Sequence, residues 1–260
     1  MKVVILAGGR GTRLREQTES LPKPLVEVGG KPVLWHVMKI FLASGFDDFV
    51  LCLGHLGDRI KQDFVERAAW RSGDFTLESD PNSGFRIESL DGRRERWRVT
   101  FADTGLETNT GGRIKRVEKY VDGERFFATY ADGVTDIALG KLLAFHRSHG
   151  KVATVTAVRP KTTFGILQLA AGDLVTRFSE KPQLEVWVNG GFFVFERRIF
   201  DYLTEGSVLE SDPLEQLAAE GELVAYRHDG FWACMDTYKD TLELNALRNN
   251  GSPPWRAGWE

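Results

Sequence analysis

Residues Val3-Val4-Ile5-Leu6-Ala7 form an unbroken apolar run, rich in β-branched side chains, that ends in Gly8-Gly9-Arg10-Gly11. Such a run reads as a strand buried on both faces, because no polar residue alternates with the apolar ones. Val33 to Leu42 then shows helical apolar spacing behind Pro32, whose fixed φ suits a first turn. Phe49-Val50-Leu51-Cys52-Leu53 reads as a second short strand, and Asp58 to Ala69 as a second amphipathic helix. Strand, helix, strand, helix in that order predicts βαβ units and hence a parallel sheet.

Phe75 to Phe101 breaks the rhythm. It is polar and carries turn signals at Asp80-Pro81-Asn82-Ser83-Gly84 and Asp91-Gly92, so it is expected to be a hairpin-rich excursion. The βα theme resumes with a helix at Ile114–Val121, a strand at Arg125–Tyr130 and a helix at Ile137–His149. Strands follow at 152–158, 164–169, 173–178, 188–195 and 222–227, with a short helix near 211–220 and a last one at Tyr238–Arg248. The expected fold is a single α/β domain over 1–260, with a Rossmann-like, mostly parallel central sheet flanked by helices. A small β-rich insertion occupies about 75–101, and a C-terminal helix plus tail occupies 238–260.

The balance of 34 Lys and Arg against 37 acids excludes a general nucleic-acid binder, so any anion site must be local. No stretch approaches the roughly 20 apolar residues of a membrane span, and the first residues do not read as a signal peptide. Cys52 and Cys234 have no partner spacing and are expected to be buried thiols in a reducing, cytoplasmic protein.

In open parallel sheets ligands bind beyond the carboxyl ends of the strands. Gly8, the segment Asp103–Arg113, and Asp132 all follow expected strands. The glycines of Leu6-Ala7-Gly8-Gly9-Arg10-Gly11-Thr12-Arg13-Leu14 let the backbone approach a ligand, and their N–H groups suit a polyphosphate. Arg13 adds a bidentate phosphate donor. Leu14 stands where a dinucleotide fingerprint would carry its third glycine, and no P-loop ending occurs. Lys23, between Pro22 and Pro24, is a second candidate phosphate clamp on a stiffened loop.

Asp132 ends a strand beside Gly133, where it can form an Asx turn or hold Mg²⁺; Asp236 precedes the last helix and can be its N-cap or a second metal ligand. Glu180-Lys181 after a late strand suits sugar hydroxyls and a sugar phosphate, and Asn189-Gly190-Gly191 adds an amide and exposed backbone. His146 and His149 read as surface residues rather than metal ligands. The excursion at 75–101 and the Trp255, Trp259 tail read as apolar surface that an interface would cover, which points to a homo-oligomer.

The order LAGGRGTRL, PKPL, YADG, SEKP, NGGF, FWACMDT resembles the sugar-1-phosphate nucleotidyltransferase family over nearly the whole chain. The segment Asp103–Arg113, the KPVLWHVMK helix and the Pro-Trp…Trp-Glu tail resemble the branch that pairs CTP with glucose 1-phosphate. The resemblance implies that Leu6, Ala7, Gly8, Gly9, Gly11, Thr12, Arg13, Lys23, Gly111 and Ala131 bind the nucleotide, with Thr104, Thr110 and Arg113 around its base. It implies Mg²⁺ on Asp132 and Asp236, the sugar phosphate on Gly165, Glu180, Lys181 and Asn189, and catalytic parts for Arg13, Lys23 and Asp132. Arg113 would donate toward cytosine O2 or N3. The family pattern carries glycine where this chain has Ala131. The same chemistry with another base or sugar, and a catalytically silent regulatory subunit, are the rival readings. A glycosyltransferase would need a D-x-D motif that Tyr130–Thr135 lacks.

Overall fold

The computed structural model describes residues 1–11, 14, 21–70, 75–80, 84–89, 97–162, 164–251 and 253–256, with the backbone alone at 67–70, 75–80 and 84–89. Its centre is a seven-stranded sheet made of β1 (Lys2–Leu6), β2 (Asp48–Leu53), β3 (Arg98–Asp103), β4 (Arg125–Tyr130), β5 (Ala153–Val158), β6 (Val188–Glu196) and β7 (Leu223–Arg227). The spatial order is β7-β5-β6-β4-β1-β2-β3. β1 runs parallel to both β2 and β4, β2 parallel to β3, and β5 parallel to β7; β6 alone is antiparallel to its neighbours β4 and β5. The helices are α1 (Val33–Leu42), α2 (Gly57–Trp70), α3 (Thr110–Arg116), α4 (Leu139–His149), α5 (Asp212–Ala219) and α6 (Tyr238–Asn249).

Alternation along β1 explains its unbroken apolar run. Val3 and Ile5 face one core with the α1 residues Val37 and Phe41, whereas Val4 and Leu6 face a second core with Ile114 of α3. Both faces are covered, so period-2 polarity has no place there.

Two expectations about elements need correction, and one element was not expected at all. Residues 98–101 are not part of the excursion but belong to β3, a parallel edge strand; the excursion's hairpin pairs 75–80 with 84–89. The helix expected at Ile114 begins at Thr110, and its Gly111 and Gly112 pack against Ser207 and Glu205 more closely than any side chain allows. A short ribbon, 133–135 against 232–234, has too few residues to leave a periodic signature.

Trp255 is not surface. It is 1% exposed and stacks on Phe231, and its indole N–H donates to His36 Nδ1 at 3.2 Å. The tail is therefore docked against the chain's own core, which supplies both apolar cover and an acceptor for the indole. Trp259 lies outside the described residues.

His146 is buried too. Lys151 N–H donates to His149 Nδ1, so a neutral His149 donates from Nε2 to Thr154 Oγ1 (2.8 Å). The threonine hydroxyl then donates to His146 Nδ1 (2.8 Å), and His146 Nε2–H reaches Glu196 (3.2 Å), which Arg125 also holds. Every donor in this chain has one acceptor only while both rings are neutral.

Burial pushes the pKa of His146 down to about 4, with His149 and Arg125 adding to the effect and Glu196 opposing it. Burial likewise pushes His36 down to about 4, aided by Arg256, Arg248 and Lys31 and opposed by its bond to Val28 O. A depressed folded pKa means the unfolded chain binds the proton more readily. Stability should thus be complete above pH 6.5 and fall as pH drops toward 4, by about 3 kcal/mol for His36, with His146 contributing in the same direction. Urea midpoints at pH 7.5 and 4.5 measure this, and His36→Gln, which retains a donor for Val28 O, should shrink the drop. An equal drop in wild type and variant would count against the His36 part.

Candidate active site

The sheet order reverses at β1, from which β2 and β4 lie on opposite sides, so the loops after β1 and β4 diverge and leave a crevice. A cleft of about 370 Å³ fills it, lined by the β1 loop, by Lys23 and Pro24, by Thr108–Thr110, by Tyr130–Asp132 and by Val208 and Glu210. The glycine wall is tight. A Cβ on Gly8 would come within 2.3 Å of Arg113 and 2.9 Å of the Gly54 amide nitrogen. Gly11 has φ +61°, a left-handed turn that favours glycine.

The cation and the acids meet at one end. Lys23 Nζ donates to Asp132 Oδ2 at 2.5 Å and to Asp236 Oδ1 at 2.7 Å, joining positions more than 100 residues apart. Burial alone would lower the Lys23 pKa, but the two carboxylates outweigh it and the net shift is upward, so the ammonium holds its charge. The short ribbon sets the carboxylate separation. Cys234 pairs with Gly133, and Met235 N–H donates to Asp132 O at 3.0 Å. Thr237, not Asp236, caps α6 through a capping box with Asp240, which leaves the Asp236 side chain to the cleft's lysine.

Cys234 Sγ joins the two carboxylates, with all three ligand atoms within 4.8 Å of one another. Burial, then the charges of Asp132 and Asp236, push its thiol pKa well up. A protonated thiol is a poor ligand, so the donors here are two hard oxygens, which suits a hard divalent ion.

Arg113 lines the cleft with a different occupation from the one expected. Its Nη1 donates to Leu53 O (3.0 Å), Thr104 Oγ1 (2.8 Å) and Gly105 O (2.8 Å), and its Nη2 to Gly8 O (3.0 Å) and Leu106 O (3.3 Å). These acceptors end β2, follow β3 and follow β1, so one side chain ties three strand ends together. Burial pulls the Arg113 pKa below its ordinary value, and backbone dipoles hold the cation. Thr104 is buried beneath the cleft, donating to Leu53 O at 2.6 Å, and Gly111 packs on Ser207 rather than facing the cleft.

Of the other expected nucleotide residues, Leu6, Ala7, Gly8, Gly9, Gly11, Lys23, Thr110 and Ala131 line the cleft. The Ala131 methyl is taken up by the core around α1. Thr12 and Arg13 lie outside the described residues. Gly165, Glu180, Lys181 and Asn189 are not cleft-lining. Gly165 lies under the Phe178 ring beside Glu180 on the 166–179 hairpin, and Lys181 pairs with Glu180 at 3.2 Å. Asn189 stands at the start of β6, on the sheet edge where β4 ends, next to the Gly191 backbone that packs on Tyr130. Sequence reasoning missed Thr108, Asn109, Tyr130, Val208 and Glu210. The first three lie inside recognised motifs but were given no role there, whereas no local signal marks Val208 or Glu210.

The family profile described as Nucleotidyl transferase matches residues 2–249. The chain belongs to this family. It is 46% identical to the glucose-1-phosphate cytidylyltransferase of Salmonella typhimurium over 263 residues, covering 100% of both chains. It is 43% identical to the probable glucose-1-phosphate cytidylyltransferase of Bacillus subtilis, covering 98% of this chain and 99% of that one. Among solved structures the fold is similar to HddC from Yersinia pseudotuberculosis, with a TM-score of 0.69 at 22% identity over 94% of this chain and 98% of that one. As a nucleotidyl transferase the chain is expected to use a divalent metal, and Asp132 and Asp236 are the acidic group placed to hold one. No described helix is long and apolar enough to cross a membrane.

Proposed function

We infer that this protein transfers a cytidylyl group from CTP to α-D-glucose 1-phosphate, releasing pyrophosphate and forming CDP-glucose. The observation that carries the chemistry is the cleft itself: a glycine wall facing a lysine that is held between two carboxylates. The full-length likeness to glucose-1-phosphate cytidylyltransferases supports the choice of base and sugar.

A sugar-phosphate oxygen attacks the α-phosphorus in line as the bond to the pyrophosphate oxygen breaks. The nucleophile is already an anion, so the protein's work is positioning and charge neutralisation rather than proton removal. The Gly8–Gly11 backbone and Lys23 hold the triphosphate, and Arg13 belongs to the same group. Mg²⁺ held by Asp132 and Asp236 would neutralise charge on the phosphates. Lys181, with Glu180 and Asn189, brings in the second anion from the 166–179 hairpin side. Arg113, itself part of the cleft lining, fixes the shape of the wall against which the nucleotide lies by tying the ends of β1, β2 and β3 together.

The proposal extends to a homo-oligomer in the cytoplasm. The support for the oligomer is the hairpin at 166–179, where Leu167 and Phe178 pair across the strands yet remain 53% and 62% exposed.

Pyrophosphate release with four nucleoside triphosphates against glucose, galactose and mannose 1-phosphates tests the reading. CTP with glucose 1-phosphate should exceed every other pair in kcat/KM. Equal use of UTP or dTTP would defeat the cytidylyl assignment.

A further inference from the structure

Two carboxylates line the cleft, and they are in different states. Asp132 has the Lys23 ammonium at 2.5 Å. Glu210, at the other end, has no salt bridge among the described residues; it takes hydrogen bonds from two hydroxyls instead. Tyr130 Oη, at the end of β4, donates to Oε1, and Thr110 Oγ1, the first residue of α3, donates to Oε2 at 2.6 Å. The Thr110 oxygen also accepts the Leu209 N–H at 2.9 Å, which directs its single proton toward Glu210. Burial and the Glu210 charge raise the Tyr130 pKa, so the phenol remains a donor. The carboxylate is thus aimed by the two walls of the cleft, β4 on one side and α3 on the other.

A bare carboxylate repels a polyphosphate. The triphosphate therefore lies along the Gly8–Lys23 side, and the base lies toward Thr110 and Glu210. With both hydroxyls donating to it, Glu210 can only accept. Cytosine presents a 4-amino donor, whereas uracil presents an O4 acceptor at the same place. We propose that Glu210 selects the base, accepting a hydrogen bond from the 4-amino group of cytosine and repelling O4 of uracil. This inference rests on the cytidylyl transfer argued above. It gives Glu210 the discriminating part that Arg113, already bonded to four backbone oxygens and the Thr104 hydroxyl, does not fill.

The test is Glu210→Gln, whose amide can present N–H to O4. kcat/KM is measured for CTP and for UTP with glucose 1-phosphate. The CTP/UTP ratio should fall about 10-fold or more, through both a loss with CTP and a gain with UTP. Tyr130→Phe removes one of the two aiming hydroxyls and should lower the ratio by a smaller factor.

A wild-type enzyme strict for CTP whose ratio is unchanged in Glu210→Gln overturns the proposal alone. Equal losses with both nucleotides also overturn it, since they mark a structural part. A loss that disappears with 2′- or 3′-deoxynucleotides overturns it in favour of a ribose contact. A wild-type enzyme with no preference defeats the cytidylyl reading, and the selector falls with it.

Discussion

Asp132→Asn and Asp236→Asn should each lower kcat by about 100-fold or more at saturating Mg²⁺ while the protein stays folded. The amide keeps the shape of the side chain and removes only its charge. Both carboxylates are part-exposed and sit on a ribbon whose register is set by backbone bonds, Cys234 with Gly133 and Met235 with Asp132. The ribbon therefore survives either substitution. What is lost is half of the negative charge that gathers Lys23 and would hold the metal. Steady-state turnover, with circular dichroism to check the fold, measures the effect. Near-normal turnover in either variant would remove that residue from the reacting site.

Lys23→Ala is expected to lower kcat/KM for CTP by about 100-fold, because a preorganised positive charge is lost from the phosphate end of the cleft. The geometry adds a second expectation of opposite sign. In the free protein the ammonium stands between the two carboxylates, where it opposes a metal cation. Its removal should tighten binding of Mn²⁺ to the nucleotide-free protein, read by electron paramagnetic resonance, even as activity falls. A misfolded variant would lose both properties together. Lys181→Ala should instead raise KM for glucose 1-phosphate and change that for CTP little, because Lys181 lies beyond the hairpin with Glu180 and outside the cleft wall. Equal effects of both substitutions on the same substrate would refute this division of labour.

Much of the architecture was legible because its signals are local. The apolar run at Val3–Ala7, the helical spacing after Pro32 and the glycines after β1 each report on a backbone within a few residues. The stiff Pro22-Lys23-Pro24 loop and the strand-end position of Asp132 belong to the same kind. The ordered motifs then implied that Lys23, Asp132 and Asp236 work together, and in the structure they meet within hydrogen-bond reach.

Only the tertiary structure decided what depends on distant neighbours. Arg113 looks like a free base-binding donor until β1, β2 and β3 end around it and supply five oxygens. Trp255 and His146 look exposed until the core at His36 and Phe231, and the network at Thr154 and Glu196, close over them. Cys234 enters the acid cluster, and Glu210 enters the cleft, across 80 or more residues of chain. Apolar periodicity and turn chemistry record what each residue does to its own backbone. The partner of a polar side chain is chosen by the packing of the whole sheet, and no short stretch of sequence carries that choice.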